Sequence, residues 1–301
     1  MKLTLIGHLC FDVFHEKDGA EHTEIGGIYH AVAAMSYLAA DKDTIIPVFG
    51  VGSKEYDDVV KQFGSLKNVN TAGIFSFDGE TNHVHYFADG SNECSASIAA
   101  PIPFHRIKPF LNVDGIYINM ISGHDISIDT LDEIRLDVRP KKIPIHLDIH
   151  CRTLQVEAGG TRSRRPMSEW RRWCFMIDTV QMNEEEARGI SIEKFSDELL
   201  AKQMIPLMVK NFIITRGEKG ASLYKADHKH VIQKEIDAEL VEHPVSVLAS
   251  GDIFGAAYHF SYVKKENSDH SAQFAVKAAS LATRYSVSDK HQVLSTLREE
   301  V

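Results

Sequence analysis

Cysteine is scarce. The chain has four in 301 residues (Cys10, Cys94, Cys151 and Cys174), scattered and without a Cys-x-x-Cys pair. That spacing argues against a zinc ribbon or a disulfide framework and fits a reducing compartment. Positive charge is also short: 33 Lys and Arg stand against 42 Asp and Glu, a formal net charge of −9. Non-specific nucleic-acid binding needs clustered cations that displace counterions, so no nucleic-acid partner is expected. A phosphate-bearing ligand stays open, because backbone N–H groups can hold it without net charge. No apolar run approaches the ~20 residues of a membrane-spanning helix. The opening MKLTLIGHLCFDVF has too short an apolar run for a signal peptide and lacks a small-residue cleavage site. The expectation is a cytoplasmic protein with no membrane partner. No repeat of 20–50 residues and no low-complexity linker divides the chain.

What is there alternates between two lengths. Short β-branched runs read as buried strands at Leu3–Ile6, Thr44–Phe49, Gly115–Asn119, Ile143–Asp148, Met176–Gln181 and Phe212–Thr215. Segments of helical period lie between several of them, at Gly27–Ala40, Tyr56–Phe63, Ser127–Val138, Phe195–Met208 and Ile253–Lys264. This alternation predicts an α/β fold with a mostly parallel sheet covered on both faces, which collects ligands at the carboxyl ends of its strands. Residues Gly73–Ala99 break the rhythm. They carry Thr81–Phe87, then Asp89-Gly90, and read as a small β excursion, either a lid or a plain edge hairpin. Gly159–Arg172 holds five arginines and reads first as a solvated loop, with a phosphate-gripping loop as the alternative.

Three local patterns could carry chemistry. Gly26-Gly27 precedes an Ala-rich helix, where the missing Cβ atoms permit a tight turn and a close ligand approach. Asn183-Glu-Glu-Glu186 follows a strand. Its amide and carboxylate share a helix face and could orient waters around Mg²⁺, or could merely favour the first helical turn. In Ala249-Ser-Gly-Asp252, small residues open a helix whose first N–H groups would converge on an anion. A carboxylate beside that hole makes sense as a general base, although Asp is also common in a first turn.

In this order and at these separations, the patterns resemble the ribokinase (PfkB-type) carbohydrate kinase family along nearly the whole chain. Gly7-x-x-x-x-Asp12, Gly26-Gly27, Val48-Phe-Gly-Val-Gly52, Asp148-Ile-His-Cys-Arg152, Asn183-x-x-Glu186, Ile214-Thr-Arg-Gly-Glu-Lys-Gly-Ala221 and Gly251-Asp-Ile-Phe-Gly255 carry the likeness. The resemblance implies a ribokinase-like three-layer α/β/α sandwich, one kinase domain over 1–301 with a β lid at about 73–99. It implies ATP- and Mg²⁺-dependent phosphoryl transfer to a hydroxyl of a sugar, nucleoside or polyol. Asp252 would be the general base, with the N–H groups of Ala249, Ser250, Gly251 and Asp252 as the anion hole. Asp12, Gly26, Gly27, His30 and Arg152 would border the acceptor. Asn183, Glu186, Thr215, Arg216, Gly217, Ala278 and Ala282 would serve the nucleotide, Glu186 organising Mg²⁺ through water. A homodimer through the lid is also implied.

The departures matter as well. The family's leading Asp-Thr is Ser246-Val247, and its first Gly is Ala249, which is strained if that position needs a positive φ. The Asn after the Gly-Gly pair is Ala31, with His30 beside it, and the Asn of Asp-x-Asn-x-Arg is His150. An altered set of polar groups selects an altered substrate. Two rival readings follow: a weak or inactive pseudokinase that senses nucleotide or sugar, and a hydrolase with His146, Asp148 and His150 as metal ligands on one strand face.

Overall fold

The structure is a computed structural model and describes residues 1–88, 94–96, 98–228 and 230–301. Fifteen strands are described: β1 (Lys2–Ile6), β2 (Leu9–His15), β3 (Glu21–Gly27), β4 (Thr44–Gly52), β5 (Ile74–Phe77), β6 (Asn82–Phe87), β7 (Cys94–Ala96), β8 (Gly115–Asn119), β9 (Ile145–Asp148), β10 (Leu154–Val156), β11 (Arg162–Arg164), β12 (Thr179–Asn183), β13 (Asn211–Thr215), β14 (Ala221–Asp227) and β15 (His230–Ile236). The helices are α1 (Ile28–Leu38), α2 (Tyr56–Gly64), α3 (Phe104–Ile107), α4 (Ile128–Val138), α5 (Trp170–Phe175), α6 (Glu184–Gly189), α7 (Asp197–Met204), α8 (Ser250–Lys265) and α9 (Ser268–Ala282).

Nine strands form one sheet in the order β15-β14-β13-β12-β9-β8-β1-β4-β5. Strands β5 through β13 in that order run parallel, and β14 and β15 return antiparallel at one edge. The central strands are buried along both faces, which is why they read as continuous apolar runs rather than as alternating ones. With helices on both faces, the architecture is the three-layer α/β/α sandwich expected. Helix α8 is buried from Asp252 to Ser261 and packs between α1 and α9 against the sheet, so it is apolar nearly all round.

The expected strands are all present, with shifted ends. The run expected over Met176–Gln181 forms β12 only from Thr179 and continues to Asn183. The helix expected over Phe195–Met208 is α7: Ser196 caps it by accepting from the Leu199 N–H, and Pro206 turns its end into a 3₁₀ segment closed by Met208 at φ 82°.

The β excursion takes a different form from the one expected. Its first strand, β5, joins the edge of the main sheet beside β4. The separate small sheet has the order β3-β2-β6-β7, so half of it comes from residues 9–27. Strand β2 pairs antiparallel with β3 and parallel with β6. The stretch from Gly7 to Gly27, short and rich in polar residues, hid two strands. The Asp89-Gly90 turn lies outside the described residues. Strands β10 and β11 form an antiparallel hairpin from the arginine-rich loop.

Candidate active site

Parallel strands bring their last residues to one edge of the sheet. Asn119 ends β8, Asp148 ends β9, Asn183 ends β12 and Thr215 ends β13. Register sets them side by side: Asn119 opposite Asp148, Gln181 opposite Asp148, and Asn183 opposite Thr215. The N-terminus of α8 arrives above this row. Its N-cap, Ala249, has φ 60° and ψ 10°, so the position does require the left-handed conformation, which costs a residue with a Cβ about 1 kcal/mol.

Two cavities meet at that helix end. One, of about 430 Å³, is lined by Cys10, Asp12, Val84 and Tyr86 of the small sheet and by strand-end and α8 residues down to Asp252. The other, of about 640 Å³, lies between the turn after β13, the 238–247 segment and α9. Thr215, Val247, Ser250 and Gly251 belong to both walls.

Asp252 is buried, and Asn119 Nδ2 donates to its Oδ1 at 2.6 Å. His150 Nε2 stands 3.8 Å from the same oxygen. Beside it, Asp148 accepts from Gln181 Nε2 at 3.0 Å and from the Tyr117 hydroxyl at 3.3 Å. Burial, with the Glu186 and Asp252 carboxylates nearby, pushes the Asp148 carboxyl well above its usual range, while His150 opposes the shift. Burial also raises Glu186, again against His150. Burial alone would lower the His150 imidazole, but Cys151 and the two aspartates outweigh it and hold it well above its usual value. His150 itself takes a strained φ of 40°.

Glu186 and Asn183 form a reciprocal capping box. Asn183 N and Nδ2 each donate to the carboxylate at 2.8 Å, and the Glu186 N–H returns to Asn183 Oδ1 at 2.9 Å. The helix-start reading of this motif is correct, yet both side chains also line the first cavity.

At the far end of that cavity, Asp12 accepts from the Cys10 thiol at 3.4 Å and faces His30 Nε2 at 3.9 Å. His30 in turn contacts His291 through its Nδ1 at 3.3 Å. A Cβ on Gly26 would sit 2.2 Å from Asp12 Oδ2, so any larger residue there would displace the Asp12 carboxylate. Gly27, at φ 62°, is the N-cap of α1 and lines the cavity.

Comparison with known proteins now fits this geometry. Residues 160–290 match the model of the pfkB family carbohydrate kinase. The fold is ribokinase-like. A search of curated proteins finds no match. Ribokinase from Giardia lamblia superposes with a TM-score of 0.77 at 14% identity, over 99% of this chain and 96% of that one. Arabidopsis thaliana ribokinase in complex with ribose and ATP gives 0.71 at 18% identity, over 97% and 98%. A pyrophosphate-dependent kinase in the ribokinase family, bound to a pyrophosphate analog and myo-inositol, gives 0.73 at 14%, over 94% and 95%.

On this ribokinase-type frame the structure brings together Asp12, Gly27, His30, Asn183, Glu186, Thr215 and Ala249 through Asp252 around the first cavity, with Gly26 behind Asp12 and Gly217 on the second. Four expected residues lie elsewhere. Ala278 and Ala282 are fully buried in the core; the α9 face on the second cavity is Val276, Ala279, Ser280 and Thr283. The expected positions are one helical step away from the exposed face. Arg216 is tied to Glu184 and Asp197, each at 2.7 Å, and is absent from both cavity walls. Arg152 stacks on Trp173 at 5.4 Å instead of entering the cavity. Arg162 and Arg164 enter it in its place, because the β10–β11 hairpin turns that face inward. Arg164 is anchored by Glu185 at 2.6 Å, and Arg162 donates to Ser95 Oγ at 2.7 Å.

Sequence reasoning missed Asn119, which holds Asp252, and Gln181, which holds Asp148; their signal was position at or near a strand's carboxyl end. The hydrolase reading fails on geometry. His146 is enclosed by Tyr117, Tyr258 and His259, whereas His150 lies past the strand in a 3₁₀ turn. Among the described residues no group of three His, Cys, Asp or Glu is placed to hold a metal.

Proposed function

We propose that the protein transfers the γ-phosphoryl group of Mg·ATP to a hydroxyl of a sugar, nucleoside or related polyol, with Asp252 as general base. One observation carries this reading: the two cavities join at Ser250 and Gly251, and the Asp252 carboxylate stands on the acceptor side of that junction. Both cavities draw on residues from Cys10 to Thr283, which supports a single catalytic unit over the chain.

The acceptor hydroxyl would point at Asp252, whose Oδ1 is fixed by Asn119. Deprotonation by a positioned carboxylate contributes typically about 10²–10⁴-fold. The N–H groups at the start of α8 would receive the charge on the transferring phosphoryl, where preorganised donors act without rearrangement. Asp12 and His30 would orient the remaining hydroxyls, and the small sheet covers them, keeping out water that would compete for the phosphoryl.

The donor cavity favours a nucleotide over pyrophosphate. Its walls include Leu240, Val241, Val276 and Ala279, apolar surface that a base can use and a bare pyrophosphate cannot. Magnesium would be met through water rather than by a cage of direct ligands, since among the described residues no three acidic side chains are placed to hold it. Asp148, Glu186 and Asp252 crowd negative charge that burial makes costly, and Glu186 is already bound by Asn183, so the metal would be held through water and phosphate oxygens. Bound there, Mg²⁺ would neutralise charge on the transferring phosphoryl.

The pseudokinase reading gains no support from the site, because the carboxylate, the helix end and both cavities are intact. ADP release from Mg·ATP across pentoses, hexoses, inositols and nucleosides, with Asp252→Asn in parallel, tests the proposal. Acceptor-dependent release that the variant lacks upholds it; release unaffected by the variant rejects Asp252 as base.

A further inference from the structure

Lys290 lines neither cavity, yet it is fully buried, an expensive place for an ammonium group. Its Nζ donates to Leu248 O at 2.6 Å, to Ser246 O at 3.1 Å and to Ser246 Oγ at 3.4 Å. Among the described residues it forms no ion pair with a carboxylate; Asp252 and Glu24 act on it only through space. Its three donors are spent on the turn that leads into α8.

Peptide planarity gives this arrangement a consequence. In a trans peptide the C=O and the following N–H point in opposite directions. Carbonyls 246 and 248 converge on the ammonium, so the N–H groups of Val247 and Ala249 are turned to the opposite side. Val247 and Ala249 line the first cavity, on that side. The same clamp holds the left-handed turn at Ala249, which a residue with a Cβ does not favour.

We propose that Lys290 is a positioning residue: its ammonium gathers the Ser246 and Leu248 carbonyls and so fixes the turn that aims the N–H groups of Ala249, Gly251 and Asp252 at the transferring phosphoryl, while the expected fourth donor, the Ser250 N–H, is spent on Val247 O at 3.2 Å within the turn. The role rests on reading that helix end as the phosphoryl site. Lys290 replaces no substrate contact; it acts through the loop.

The test compares AMP-PNP with ADP, which differ in the terminal phosphoryl that the loop would grip. Binding of each in Mg²⁺ is measured by calorimetry on the full chain, for wild type, Lys290→Met and Lys290→Ala. Methionine keeps the straight side chain and removes a buried charge, a change that is often neutral or stabilising, and a thermal melt checks folding. Wild type should prefer AMP-PNP by about tenfold, the worth of one charge-assisted hydrogen bond, and Lys290→Met should erase the preference while ADP affinity stays within about twofold. Methylammonium should restore the preference in Lys290→Ala and do nothing for wild type. A folded Lys290→Met that keeps the wild-type preference overturns the proposal, as does methylammonium without effect on folded Lys290→Ala. Turnover is scored separately: a wild type that shows the binding preference but transfers to no acceptor defeats the kinase reading and leaves the positioning role standing.

Discussion

Asn119 and Asp252 are 133 residues apart in sequence and 2.6 Å apart at the site, the amide of a strand end holding the carboxylate of a helix start. The bond fixes which oxygen of Asp252 is engaged and leaves the carboxylate one orientation at the junction of the two cavities. Replacing Asp252 by Asn should cut turnover by about 10²–10⁴, the usual worth of a general base, without loss of nucleotide binding. Steady-state kinetics with parallel nucleotide titration checks both halves.

On the acceptor side, Gly26→Ala would force a Cβ into the space of Asp12 Oδ2. Both Gly26→Ala and Asp12→Ala should raise the acceptor KM more than the KM for ATP. A larger effect on ATP in either variant would remove Asp12 from the acceptor site.

On the donor side, Ala279→Trp fills the cavity wall that α9 presents to a base. The KM for ATP should rise at least about tenfold, in line with the loss of one well-packed apolar contact surface. Any turnover with pyrophosphate should be unchanged. Equal loss with both donors would argue against adenine binding there.

Asp148 illustrates a trade between stability and function. Its carboxyl is pushed up by burial and by the Glu186 and Asp252 charges. A raised folded-state pKa contributes stability below the unfolded value and loses it as pH rises, so at neutral pH this residue is a cost. Asp148→Asn keeps the shape and the Tyr117 and Gln181 contacts within reach. Its melting temperature should rise in the absence of Mg²⁺, and its turnover should fall. A lower melting temperature would contradict the crowding argument.

Lys290 gives an opposite pair of pH responses. Burial pushes its ammonium down to about 8, partly offset by the Asp252 and Glu24 carboxylates, with His291 adjacent. A depressed folded-state pKa means the unfolded chain binds the extra proton between about pH 8 and the ordinary lysine range. The Lys290 contribution to stability therefore rises with pH across that window. Turnover should fall over the same window, because the neutral amine loses a donor and the charge that gathers the carbonyls. Melts and pH–rate profiles of wild type against Lys290→Met separate the two trends; a melting curve without that rise in wild type would discard the argument.

The strands and the α8 motif were legible because buried parallel strands and a small-residue helix start are local patterns. Asp12, Gly27, Asn183, Glu186 and Asp252, which the resemblance singled out, line one cavity, with Gly26 packed behind Asp12. The misses have a common cause: each depends on a direction that spacing does not encode. Ala278 and Ala282 lie on the helix that walls the second cavity but face the core. Arg152 is drawn away by Trp173, and Arg216 by Glu184 and Asp197, partners that only the fold supplies. The small sheet was half hidden, since β2 and β3 are joined to β6 across more than fifty residues. Lys290 had no signal at all, being a lone lysine in a polar turn.

Neighbouring residues near the end of the chain answer to opposite halves of the site. Lys290 grips the turn before α8, and His291 stacks on His30 beside Asp12. On the proposed reading, a single peptide bond thus joins the residue that holds the phosphoryl turn to a neighbour of the acceptor pocket. The Ser286 carbonyl accepts from the Asp289 and Lys290 N–H groups and so sets where this pair begins, and a residue inserted between 290 and 291 would separate the grip on the turn from the stack on His30.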